Sequence, residues 1–126
     1  MTAAPLRLLI LEDEILVAMY LEELLHDLGH SVIGSANRVN DAMDFARTGD
    51  FDFAVLDVNI AGTPSFPMAA ILRQRGIPFV FATGYDKESV AQGFGDHPTL
   101  CKPYAPQALE LAIAEGLRAV GTNRPA

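Results

Sequence analysis

Five polar side chains in this 126-residue chain are of types that together can handle a phosphoryl group. Glu12 and Asp13 form an acidic pair, and Asp57 interrupts the apolar run Ala54-Val55-Leu56 just before Val58. Thr83 follows Phe81-Ala82, and Lys102 follows Leu100-Cys101. Three carboxylates brought together make an all-oxygen ligand set for a hard cation such as Mg²⁺. A hydroxyl and an ammonium facing that cation suit a phosphoryl group, whose oxygens call for donors and positive charge. Taken singly, each residue has a plainer reading. Acids at strand ends cap loops, a threonine after a strand belongs to turn chemistry, and a lysine snorkels to water. Their number and order along the chain favour a shared site. A carboxylate in so apolar a stretch as that around Asp57 is costly to bury unless it is paired, hydrogen-bonded or metal-bound.

Such a site needs a scaffold that gathers five distant positions. Leu6 to Leu11 reads as a buried strand, and Val17, Leu21, Leu24 and Leu28 have the spacing of a helix stripe ended by Gly29. Ser31 to Ala36 predicts a second strand and Val39 to Arg47 a second helix. The Asp57 strand, whose nearly continuous apolar run suits burial on both faces, comes third. Gly62-Thr63-Pro64-Ser65 is turn material, and Pro67 opens a third helix that ends at Gly76. Ile77 to Ala82 is the fourth strand, Asp86 to about Phe94 a short glycine-flanked helix, Thr99 to Lys102 the fifth strand, and Ala105 to Val120 the last helix. This alternation predicts one three-layer α/β domain with a parallel sheet and right-handed crossovers. In such sheets ligands gather outside the carboxyl ends of the strands. Glu12, Asp13, Asp57, Thr83 and Lys102 all fall there.

Composition narrows the rest. Half the residues are hydrophobic, enough for a single core. A net charge of −7 with scattered basic residues argues against a nucleic-acid surface. No apolar run is long enough to cross a bilayer, and the start lacks the pattern of a signal peptide, so a cytoplasmic location is expected. Cys101 is the single cysteine, which excludes an internal disulfide, and it reads as a small core residue. His26, His30 and His97 lack metal-ligand spacing and read as packing or surface residues. Met19, Met43 and Met68 read as core fillers, and Tyr20 and Phe45 as members of helix stripes.

The motifs Leu11-Glu12-Asp13-Glu14, Leu56-Asp57-Val58-Asn59, Ala82-Thr83-Gly84 and Cys101-Lys102-Pro103-Tyr104 resemble those of a response-regulator receiver domain of bacterial two-component signalling. The resemblance covers residues 5–120, with 121–126 expected as a flexible tail. Phe81-Ala82-Thr83-Gly84 with Lys102-Pro103-Tyr104 is similar to the alphaproteobacterial receiver subfamily named for its Phe-Ala-Thr-Gly motif. The resemblance implies a flavodoxin-like (βα)5 fold with strand order 2-1-3-4-5. It implies Asp57 as phosphoacceptor, with Mg²⁺ held by Glu12, Asp13, Asp57 and the carbonyl of Asn59. Lys102 would contact a phosphoryl oxygen, Thr83 would move toward it, and the amides of Asn59 and Gly84 would bond the others. The Lys102–Pro103 peptide would be cis. Partners implied are a sensor histidine kinase or histidine phosphotransfer protein and a downstream protein target, with no nucleic acid and no membrane, the chain being a monomer or weak homodimer.

The chain also departs from the family pattern. Leu100 stands where many receivers carry an aromatic that reports activation, so Tyr85 or Tyr104 is expected to take over that role. The usual Pro-Gly after the phosphorylation loop reads Ala61-Gly62, a mild change on sequence grounds. The short helix from Asp86 is expected to be the most mobile element. The length leaves no room for an output domain, so a stand-alone switch with no turnover beyond its own phosphorylation and dephosphorylation is expected. One competing reading is a degenerate receiver serving as a scaffold. Another, an aspartate-nucleophile phosphatase, normally wants a second Asp where Asn59 stands.

Overall fold

The computed structural model describes residues 5–84, 97–102 and 104–123. The expected helix from Asp86 and its mobility, the role of Tyr85 and the isomer of the Lys102–Pro103 peptide lie outside the described residues. Leu8 to Leu11 give β1 (Arg7–Leu11) its run of fully buried positions, as a strand covered on both faces requires. In α1 (Ile15–Asp27) the buried stripe is Ala18, Leu21, Leu24 and Leu25, and Gly29 at φ 92 ends it in the left-handed region. β2 (Ser31–Ala36) and α2 (Val39–Thr48) follow, then β3 (Phe53–Asp57), buried along its whole length. α3 (Phe66–Arg75) carries Pro67 in its first turn, and β6 (Phe79–Thr83), β7 (Thr99–Cys101) and α4 (Pro106–Asn123) complete the chain.

Between β3 and α3 two short strands, β4 (Asn59–Ile60) and β5 (Thr63–Pro64), pair antiparallel with each other. The main sheet is five-stranded and parallel, in the order β2-β1-β3-β6-β7. With the small hairpin set aside, that is the expected 2-1-3-4-5 order. Leu9, Leu11, Ala54, Leu56, Phe79 and Phe81 pack against α2 and α3 on one face. Leu8, Ile10, Phe53, Val55 and Val80 pack against α1 and α4 on the other. The alternation of the strands thus feeds two cores, and the molecule has three layers.

Several finer expectations need correction. Cys101 is exposed rather than a core residue, because β7 is a short edge strand that turns Leu100 inward and Cys101 outward. Met19 is exposed while Met68 is fully buried, and Tyr20 and Phe45 are also more than a third exposed. Ile15, Leu16, Met19 and Tyr20 lie together on the uncovered side of α1, so its apolar residues exceed the stripe that faces the sheet. α4 runs to Asn123, past the Val120 at which periodicity ended it. β2 contains a bulge. Leu8 pairs with Val32 and Leu9 with Gly34, leaving Ile33 as the extra residue, 42% exposed on an edge strand.

Candidate functional site

The carboxyl edge of the sheet collects the residues singled out by the sequence. β1 ends at Leu11, and the Glu12 amide still donates to Ala36 O at 3.0 Å, so the strand direction carries on into the acidic pair. β3 ends on Asp57, in register with Ala82 of β6, and the Val58 amide extends that ladder to Ala82 O at 3.1 Å. The Lys102 amide likewise donates to Thr83 O at 3.0 Å. Backbone pairing therefore sets Asp57, Thr83 and Lys102 side by side before any side-chain contact is made.

The Lys102 ammonium lies 2.9 Å from Asp57 Oδ2 and 2.6 Å from Glu12 Oε1. The first contact is a directed hydrogen bond. The second is a still closer ion pair, so the buried Glu12 Oε1 faces the ammonium directly. Glu12 Oε2 accepts the Glu14 amide at 3.0 Å. Asp13 Oδ2 accepts the Ala61 amide at 3.1 Å, and Asp57 Oδ1 faces the Asn59 amide at a long 3.5 Å. Thr83 is buried at the end of β6. Gly84 beside it is exposed, with open space where a Cβ would stand.

Charge and burial pull against each other here. Burial pushes the Glu12 carboxyl above the usual range, and the neighbouring Asp57 charge adds to this against the pull of Lys102. Burial alone would lower the Lys102 ammonium, but its bonds to Asp57 and Glu12 outweigh that and hold it above the ordinary lysine value. Burial also raises the Tyr104 phenol, so its hydroxyl stays neutral.

Glu12, Asp13 and Asp57 each offer a carboxylate oxygen within 4.8 Å of the others, the one such group of three or more among the described residues. Octahedral Mg²⁺ with ligands at about 2.1 Å sets ligand oxygens about 3 to 4 Å apart. The acids therefore fit Mg²⁺ with small side-chain movement or a bridging water.

The side chains of Glu12, Asp13, Asp57 and Lys102 come together as expected, on backbone supports that the residue types do not announce. Nothing in the type of Ala61 announces that its amide would meet Asp13. Asn59 is expected to serve through its backbone, and its Oδ1 in addition accepts the Gly62 amide at 2.9 Å and shapes the loop. Tyr20 donates its hydroxyl to Tyr104 O at 3.2 Å, tying α1 to the segment after Lys102. Tyr104, a candidate reporter of activation, is buried with Leu100 in the core formed with α1 and α4.

Comparison with known proteins gives this arrangement a context. The family model described as the response regulator receiver domain matches residues 8–114. The transcriptional regulatory protein PdtaR of Mycobacterium tuberculosis is 30% identical over 120 residues, covering 89% of this chain and 58% of that protein. The phyllosphere-induced regulator PhyR of Methylorubrum extorquens is 32% identical over 117 residues, covering 87% of this chain and 43% of that one. This chain thus spans about half the length of the curated relatives it matches. The solution structure of SdrG from Sphingomonas melonis superposes with a TM-score of 0.81 at 41% identity, covering 91% of this chain and 98% of SdrG. The response regulator PhyR from Brucella abortus superposes with a TM-score of 0.76 at 26% identity, covering 94% of this chain and 50% of that one. On a match that runs from the first strand of the sheet into the last helix, this chain belongs to the response regulator receiver domain family.

Proposed function

We propose that residues 5–120 form a phosphoacceptor switch in which Asp57 takes a phosphoryl group from the phosphohistidine of a sensor kinase or phosphotransfer protein. The observation that carries this reading is the Lys102 ammonium held between Asp57 and Glu12 beside a third acid. Asp57 Oδ2 is engaged by Lys102, whereas Oδ1 is only loosely held by the Asn59 amide, so Oδ1 is the freer nucleophile. Its attack forms the O–P bond while the N–P bond of the donor breaks and its electron pair returns to the imidazole. Glu12, Asp13, Asp57 and the Asn59 carbonyl would hold Mg²⁺. When bound, Mg²⁺ compensates the charge that the three carboxylates and the incoming phosphoryl group place together.

Lys102 then turns from Glu12 to a phosphoryl oxygen, and the Asn59 and Gly84 amides supply further donors. The Thr83 hydroxyl moves toward the new charge and shifts the loop beyond it, with Tyr104 or Tyr85 relaying the change because Leu100 cannot. Water attack on the aspartyl phosphate resets the switch. Exposed Leu16 lines a groove with Lys102 and Tyr104, and with Ile15 and Met19 of the same helix it offers an apolar surface for a partner protein, which a cytoplasmic location fits.

Intact mass after incubation with acetyl phosphate and Mg²⁺ tests the reading. A gain of one phosphoryl group, lost in Asp57→Asn and with EDTA, is the expected result. No gain, together with no beryllofluoride complex, would overturn it in favour of a phosphorylation-independent scaffold.

A further inference from the structure

Asp13 draws its support from the hairpin that follows β3, whereas Glu12 is held by the Glu14 amide and Lys102. Its Oδ2 accepts the amide of Ala61, at the tip of the hairpin between β4 and β5. Ala61 at φ 50 and Gly62 at φ 88 make the two-residue turn, with a backbone twist matched to a tight hairpin. A side-chain-bearing residue in the left-handed region costs on the order of 1 kcal/mol, so its surroundings must hold it there. They do so from both sides. Asn59 Oδ1 accepts the Gly62 amide, Ile60 is buried in the core, and the Ser65 amide returns to Val58 O at 3.0 Å.

We infer that the Ala61 amide is a positioning donor for the metal site, fixing the Asp13 carboxylate toward Glu12 and Asp57. With Oδ2 bonded to the amide, Oδ1 is the oxygen left for a cation. Outer hydrogen bonds of this kind orient ligating carboxylates and contribute to metal affinity. The strained turn then has a function: it aims one N–H at one acid. Proline, the residue usual in the family here, lacks the N–H and has its φ locked near −65°, so the change to Ala61 that looks mild in the sequence is what makes this bond possible. The inference rests on the Mg²⁺ reading of the acidic cluster and assigns residue 61 a part in it.

Calorimetric Mg²⁺ titration of wild type, Ala61→Pro and Ala61→Gly tests it, with thermal melts in EDTA as the folding control. Ala61→Pro is expected to weaken Mg²⁺ binding about tenfold or more. Ala61→Gly keeps the amide and relaxes the positive φ, so it is expected to bind as wild type does. Wild-type affinity in a folded Ala61→Pro protein, or an equal loss in both variants, would overturn the inference while leaving the Mg²⁺ site standing. A wild type that binds no Mg²⁺ overturns both. Should Ala61→Pro fail to fold, hydrogen exchange at the Ala61 amide decides. Faster exchange in Asp13→Ala than in wild type is expected, and unchanged exchange would overturn the inference.

Discussion

Lys102 is the cation on which two buried carboxylates depend. Its side chain is mostly buried, Glu12 almost wholly so, and removing it leaves both acids facing each other without compensation. Breaking a buried pair by deleting one partner is costly. Lys102→Ala should therefore lose about 3 kcal/mol of stability in EDTA and regain part of it when Mg²⁺ is added, as urea titrations can measure. A second residue-level effect comes from two imidazoles. His30 Nδ1 accepts the Leu6 amide at 3.0 Å, and His97 Nε2 donates to Phe79 O at 2.6 Å while its ring stacks on Phe79. Burial holds both below the ordinary histidine value; Glu110 opposes the shift at His30, and Arg73 adds to it at His97. At these two groups the folded state thus binds fewer protons than the unfolded one, so their contribution is full above about pH 6.5 and falls as pH drops below it, while the raised Glu12 carboxyl works in the opposite sense. On going from neutral pH to about pH 5.5, the urea midpoint should therefore shift less toward instability in His97→Gln than in wild type.

Among the elements, α4 sits where a glycine lets it approach the sheet. A Cβ on Gly116 would lie 2.7 Å from Phe53 Cζ and 3.1 Å from Val80 Cγ1. Alanine has the better helix propensity by about 1 kcal/mol, but overpacking against a fully buried ring costs about 1 to 3 kcal/mol. Gly116→Ala should therefore be destabilising despite that propensity, which a thermal melt would show. The same scale explains what the sequence could and could not reveal. Strand and helix alternation was legible because Leu8 to Leu11 and Ala54 to Leu56 are continuous apolar runs, while α1 shows a periodic stripe. Asp57 and Lys102 were legible because charge at the end of such runs is conspicuous. The β4–β5 hairpin was not legible. The φ of Ala61 is set by the hold on Asp13 and Gly62, not by any preference of alanine. Cys101 and Met19 misled because their apolar character says nothing about which side of an edge strand or helix is left uncovered.

For the whole molecule, the three-layer fold brings parts from β1, β3, β6 and the segment after β7 to one edge, so a ligand there ties distant elements together. A ligand that binds only the folded state stabilises it by mass action, by about 2.7 kcal/mol at a hundredfold excess over its Kd. Mg²⁺ should accordingly raise the melting temperature in a saturable way, and Asp13→Asn should blunt that rise. The central claim, however, concerns one atom pair, the bond between an Asp57 oxygen and phosphorus. The most direct test is to label the protein with acetyl phosphate and Mg²⁺, reduce the acyl phosphate with borohydride, and locate the modified residue by tandem mass spectrometry. Conversion of Asp57 to homoserine is the predicted result. Conversion at Glu12 or Asp13, or a stable label on a histidine, would contradict the assignment of Asp57 as the acceptor.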